Sequence, residues 1–366
     1  MEKRVLILGG YGGVGRALAK SLLLHTSVDL TIAGHQLSKA EALAKALQSE
    51  FSERKIRAVY ADAAHFQSLL AAFEGINQVI VTATVPDAMP LIASAALETG
   101  TNLMDIFVRG DVVDQLAPFR ERVRAKNLVF ITQAGFHPGL AAPFIRYAKG
   151  HFDQYQSAHV AMAMSALFEK PESTHELIHE IGAGNYELFQ NGVWRKATYK
   201  DSRSFTFSSQ FGTRACFPLQ MRELHPLPEE LGLTDMGVYA AGFNAFVDYL
   251  IFPLIMLLQY IKKGLGTKLS GHLLYWGVNW FYNHQPGVEF RLEASGLKNG
   301  LPRKYILSAY ADDAYAFTAW AITACVRQCL DGAISTPGLF LMGLVTDEQR
   351  LLADLKEMGA QISEKS

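Results

Sequence analysis

The stretch from Lys3 to Lys20, KRVLILGGYGGVGRALAK, constrains this chain more than any other. Val5, Leu6, Ile7 and Leu8 form a continuous apolar run, the pattern of a strand buried on both faces of a parallel sheet. Gly10, Gly12 and Gly15 follow with the spacing of a dinucleotide fingerprint. Gly10 reads as the tight turn, Gly12 as the place where backbone meets a pyrophosphate, and Gly15 as the close contact of helix and strand. The free amides at the start of the helix favour an anion through hydrogen bonding and the helix dipole. The whole segment Gly10, Tyr11, Gly12, Gly13, Val14 and Gly15 is therefore the expected cofactor cradle. A fingerprint alone is weak evidence. Its weight here comes from the alternating strands and helices that follow.

Val28 to Ala33 is the next strand, with a helix beginning at Ser38 behind a Ser38-x-x-Glu41 capping box. The end of this strand ordinarily decides the cofactor: an acid favours NAD, whereas a cation accommodates the 2′-phosphate of NADP. Gly34, His35 and Gln36 include no acid, and His35 can bond a phosphate, so the reading is NADP with NAD possible. Ala58 to Ala61 is a third strand, followed by Asp62, placed either beside the adenine or as a cap for the next helix. Gln78 to Thr82 is a fourth. It runs into Ala83, Thr84, Val85 and Pro86, at the carboxyl edge where ligands of open α/β sheets lie. A helix over Met89–Thr99 stops at Gly100, a fifth strand ends at Asp105, and Leu128 to Thr132 is a sixth.

Beyond Gln133-Ala-Gly-Phe-His-Pro-Gly139 the pattern changes to strands and hairpins. Asn191-Gly192 and Asn299-Gly300 are two-residue hairpin signals. Segments 204–207, 213–217, 290–294 and 303–307 read as strands. Helix signals return after Asp312, with a long helix stopped at Gly332 and a last one from Thr346-x-x-Gln349 to about Met358.

The chain has 366 residues, enough for two domains. A net charge of −1 without long charge runs gives no electrostatic reason to expect a nucleic-acid partner. Three cysteines, an odd count, argue against a disulfide framework and for a reducing, cytoplasmic setting. The apolar run after the first basic residues is too short for a signal peptide.

Four segments together resemble the saccharopine dehydrogenase family: LILGGYGGVGRALAK, AGHQLSKAEALA, VTATVPDAMPLIASAALETGTNLMDI and QAGFHPGLAAPFIRYA. The last is the most specific, being similar to the glycine–proline–glycine segment with which these proteins leave the nucleotide domain. The tail, ISTPGLFLMGL and a closing helix, is also similar. The resemblance is good over residues 1 to 150, fair over the last 55 and weak between. It implies an α/β fold: a Rossmann-type doubly wound parallel sheet from 1–135 plus about 311–366, and an inserted α+β domain with a mixed or antiparallel sheet over about 136–310.

The activity implied is that of an NAD(P)-dependent oxidoreductase transferring hydride at a carbon–nitrogen bond of an amino-acid-like small molecule. His137 and Asp105, each after a strand's carboxyl end, are the catalytic candidates. His137 is preferred because a free imidazole titrates near neutral pH. Arg109, Arg146, Arg203 and Arg214 are available for substrate carboxylates. Two departures stand out: the family often has arginine where this chain has His35, and an acid where it has His137. The alternatives are a reductase of a hydrophobic or lipid-derived substrate and a dinucleotide-binding protein without turnover.

Two other features compete for attention. His175-Glu-Leu-Ile-His179 is a complete HExxH, extended by Gly182, but Asn185 stands where a third zinc ligand would be needed. The expectation is no metal site. The apolar stretch Phe243 to Ile261, with the aromatic segment from His272, is short for a membrane span. Core or a homodimer interface is the preferred reading of 243–282, with a greasy pocket or peripheral membrane contact as the alternative.

Overall fold

The computed structural model describes residues 3–366 apart from 166, 169, 170, 176, 180–185, 209, 263, 283 and 284. The chain divides into two compact units, 1–140 with 315–358, and 141–314 with 359–366.

The first unit is built on strands β1 (Arg4–Leu8), β2 (Asp29–Gly34), β3 (Ile56–Tyr60), β4 (Gln78–Val81), β5 (Asn102–Asp105) and β6 (Val129–Thr132). Their connections carry helices α1 (Gly13–His25), α2 (Leu37–Glu50), α3 (Phe66–Phe73) and α4 (Met89–Thr99), and the shorter α5 (Asp111–Leu116) and α6 (Arg120–Ala125). Val5 to Leu8 are buried, as the apolar run demands. On α1, Gly15, Leu18, Ala19 and Leu22 face inward, a stripe at helical spacing. Gly100 ends α4 in the left-handed conformation at φ +68, donating its N–H to Ala96 and Leu97 carbonyls. The Ser38–Glu41 capping box does not form. Helix α2 begins one residue earlier, at Leu37, and its N-cap is Gln36 without a side-chain bond.

The second unit opens with α7 (Ala141–Ala148) and the long strand β7 (Gln154–Ser165). Strands β8 (Glu187–Gln190) and β9 (Val193–Lys196) form a hairpin over Asn191-Gly192, both at positive φ. Then come β10 (Arg203–Thr206), β11 (Thr213–Leu219), α8 (Leu227–Leu231) and β12 (Asp235–Ala241). A π-helical turn at 247–251 leads into α9 (Phe252–Ile261), and α10 (Thr267–Trp280) follows. Strands β13 (Gly287–Lys298) and β14 (Leu301–Ala311) pair antiparallel along their length around Asn299-Gly300. Helix α11 (Ala314–Leu330), β15 (Gly338–Leu341), α12 (Glu348–Met358) and β16 (Gln361–Lys365) complete the chain.

The strand order of the first sheet is β15-β6-β5-β4-β1-β2-β3, and every neighbour is parallel. The direction of winding reverses between β1 and β4, the switch point of a doubly wound sheet. In the second unit β7 pairs parallel with β12 and antiparallel with β13, so that nine-stranded sheet is mixed. Strand β16 pairs with β14 at its edge, an element the sequence reading does not include.

The apolar stretch 243–261 is not core as a whole. Only a narrow stripe at four-residue spacing, Val247, Ile251, Ile255 and Gln259, is buried. It meets Leu274 and Val278 of α10. Much of the remaining apolar surface faces outward.

Candidate functional site

Every expected cofactor residue lies at the carboxyl edge of the first sheet. The turn after β1 holds φ +88 at Gly9, one residue before the glycine assigned to it from the sequence. Gly9 is also pressed against the loop after β4: a Cβ there would stand 2.5 Å from Ala83 N. Ala83 N–H itself donates to Leu8 O at 3.0 Å. Gly15 lets α1 pack close against the turn after β1, since a Cβ would stand 2.5 Å from Gly9 O.

Gly12 is the N-cap of α1 with no side-chain cap, and no acid stands in the first helical turn. The only atom a Gly12 Cβ would approach within 4 Å is Gly9 O, at 3.3 Å. That open backbone, next to helix amides without internal partners, fits a dinucleotide pyrophosphate. Gly13 faces Tyr315, whose ring would lie 3.0 Å from an added Cβ. Tyr315 comes from α11, some three hundred residues away, and nothing local in the sequence marks it. Val14 is half-buried, Pro86 buried and Thr84 exposed.

The end of β2 carries a polar cluster. Gln36 N–H donates to Tyr11 Oη at 3.1 Å, and that hydroxyl lies 3.4 Å from His35 Nδ1. Gln36 Nε2 lies 3.1 Å from His35 Nε2. Tyr11, His35 and Gln36 thus stand together where the adenosine ribose end of the cofactor is expected, without a carboxylate at the carboxyl end of β2. Asp62 serves the local turn: it accepts from Ala64 N–H at 2.9 Å and pairs with His65 at 2.8 Å. The Ala64 amide and His65 hold its carboxyl below the usual range.

Asp105, at the end of β5, lies two strands from β1, about 10 Å at ordinary strand spacing. It is fully buried. Its Oδ1 accepts from Phe107 N–H at 3.1 Å and Gln133 N–H at 3.3 Å. Burial pushes this carboxyl up to about 6. His137 sits before a cis peptide to Pro138, partly buried, with Nδ1 sealed from solvent and unpartnered. Burial pushes its imidazole down to about 4.

The four candidate cations fare differently. Arg109 is engaged by Asp87 at 2.9 Å and by Asp111. In the second unit, Arg203 on β10 and Arg214 on β11 lie on neighbouring strands. Phe205 stands opposite Arg214 in register and two residues from Arg203, so the three share a sheet face. Arg203 lies 3.6 Å from Glu293, and Arg214 donates to Gly242 O at 2.9 Å. Arg146 lies on α7, in the same unit.

Glu176, Gly182 and Asn185 of the HExxH segment lie outside the described residues. Among the described residues no group of three metal-ligating side chains occurs. His175 packs against α10, where a Cβ on Gly271 would lie 2.9 Å from its ring.

Residues 5–131 match the family model of the saccharopine dehydrogenase NADP binding domain. The structure is similar to apo saccharopine dehydrogenase (L-Glu forming) from Saccharomyces cerevisiae, with a TM-score of 0.72 and 13% identity over 100% of both chains. It is also similar to C. glutamicum DAP dehydrogenase in complex with DAP, at a TM-score of 0.52, 14% identity, and 97% and 98% coverage of this chain and that one. At these identities the structural likeness is one of fold. No curated protein matches the chain.

Proposed function

We propose that this chain, a saccharopine dehydrogenase-like protein whose first unit is an NADP-binding domain, transfers hydride at a carbon–nitrogen bond of an amino-acid-like substrate. The observation that carries the reading is the pairing of an open, uncapped α1 amino end with the family's nucleotide domain. The amides from Gly13 to Gly15 hold the pyrophosphate. Tyr11, His35 and Gln36 meet the 2′-phosphate. Ala83, Thr84 and Pro86 line the passage toward the reactive end.

NADPH bound there would supply the hydride for the imine carbon, whose nitrogen would take up a proton. Asp105 is assigned to that proton from its place at the carboxyl end of β5, on the sheet edge that carries the expected cofactor residues. His137, at the cis peptide to Pro138, is assigned to orient the substrate.

The exposed apolar surface of α9 and α10 favours a second reading, a reductase of a hydrophobic substrate. A screen of amines paired with keto acids, followed at the nicotinamide absorbance beside a set of apolar carbonyl compounds, separates the two. Turnover of an amine–keto acid pair supports the first. Turnover of apolar carbonyls alone supports the second, and NADPH binding without any turnover removes both.

A further inference from the structure

Thirteen of the twenty large apolar side chains exposed among the described residues lie between Phe246 and Phe281. They are concentrated on one element, the hairpin of α9 and α10. Tyr260 is 90% exposed, Ile261 65%, Leu257 56%, Trp276 61% and Trp280 68%. A monomer rarely leaves so much apolar surface contiguous in sequence uncovered. The hairpin itself is well built. Gly277 admits close packing, since a Cβ there would stand 2.5 Å from Ile251 Cδ1. Gln259 closes the connecting loop, accepting from Gly264 N–H at 2.8 Å and donating to Leu265 O at 3.2 Å. The outward face is therefore a property of a folded element.

Charge decides what covers it. Residues 249–282 contain no Asp or Glu, but they contain Lys262, Lys263 and Lys268. Lys262 and Lys268 are exposed at the loop end, beside exposed Ile261, Leu265 and Leu269. A second copy seated on this face by two-fold symmetry would bring lysine toward lysine, and residues 249–282 hold no carboxylate to answer it. An anionic lipid surface supplies the missing charge. Tyr, Trp and Lys beside Leu and Ile are also the side chains that settle at a bilayer interface. No helix among the described residues is long and apolar enough to cross a membrane, so the hairpin would lie in the interface rather than span it.

We infer that the α9–α10 hairpin is a docking face for an anionic membrane surface. The test is flotation of the full-length protein with vesicles of phosphatidylcholine alone and of equimolar phosphatidylcholine and phosphatidylglycerol. The protein should float with the mixed vesicles and much less with the neutral ones. Each lysine near such a surface contributes roughly fivefold in partitioning, so Lys262→Gln with Lys268→Gln should weaken binding roughly 25-fold. Leu257→Asp with Ile261→Asp should abolish it while leaving the melting temperature in place, since both side chains are more than half exposed. Failure to float with mixed vesicles, equal binding to both vesicle types, or unchanged binding by the aspartate variant would overturn the inference. So would a dimer that does not bind vesicles and that the aspartate variant converts to monomer, because a second copy would then be the occupant.

Discussion

The ring of Tyr11 lies against Gly34: a Cβ on that glycine would stand 2.5 Å from Tyr11 Cε1. The glycine at the end of β2 thereby fixes where the fingerprint tyrosine can go, and Tyr11 Oη in turn holds the Gln36 amide and lies beside His35. Removing the hydroxyl with Tyr11→Phe takes away about one hydrogen bond. NADPH affinity should fall roughly fivefold in a fluorescence titration, with little change in fold stability.

Cofactor preference should turn on His35. With an acid at that position the ribose hydroxyls gain a partner and a 2′-phosphate meets repulsion. His35→Asp should shift the ratio of NADPH to NADH affinity toward NADH by roughly tenfold or more, on the scale of a charged hydrogen bond. An unchanged ratio would place the 2′-phosphate elsewhere.

Gly15→Ala should damage the domain itself. The added methyl meets backbone, Gly9 O at 2.5 Å and Gly10 C at 2.7 Å, and no side chain can rotate away to admit it. A loss of about 1–3 kcal/mol in a denaturant titration is expected, together with loss of cofactor binding.

Asp105 and His137 should tilt the stability profile in opposite senses. The buried Asp105 keeps its proton up to about 6, whereas in the unfolded chain it ionises from 3.8. The folded state binds more protons in that window, so this residue lowers stability as pH rises from about 4 to about 6. The cost of holding it ionised above that is about 3 kcal/mol. Asp105→Asn should therefore gain on the wild type between pH 4 and pH 7 in urea unfolding. If Asp105 also handles the proton, the same variant should lose turnover while still binding NADPH.

His137 stays neutral down to about 4, while the unfolded imidazole takes up a proton below 6.5. Its contribution is present above 6.5 and is lost as pH falls toward 4. His137→Gln should remove that acid-side loss. A variant whose pH profile parallels the wild type would show that the ring is open to water.

Much of this was legible in the sequence where local chemistry decides. The Gly100 stop and the Asn191-Gly192 and Asn299-Gly300 hairpins depend on residues that tolerate positive φ, and those signals are short-range. The capping box failed for a local reason too: the helix starts at Leu37, which places Ser38 inside the first turn. What remained hidden depends on distant chain. Tyr315 reaches Gly13 from α11, and the desolvation that moves Asp105 and His137 arises only on folding. The apolar run from Phe243 reads as core or a homodimer interface, because hydropathy reports composition and not which side is covered. Its buried stripe is four residues wide in spacing and the rest faces out.

The central claim is that the first unit binds NADP(H) at the amino end of α1. Titration of the purified protein with NADPH and with NADH, followed by nicotinamide fluorescence, tests it most directly. The account predicts saturable binding of both, tighter for NADPH. Absence of binding by either would contradict it.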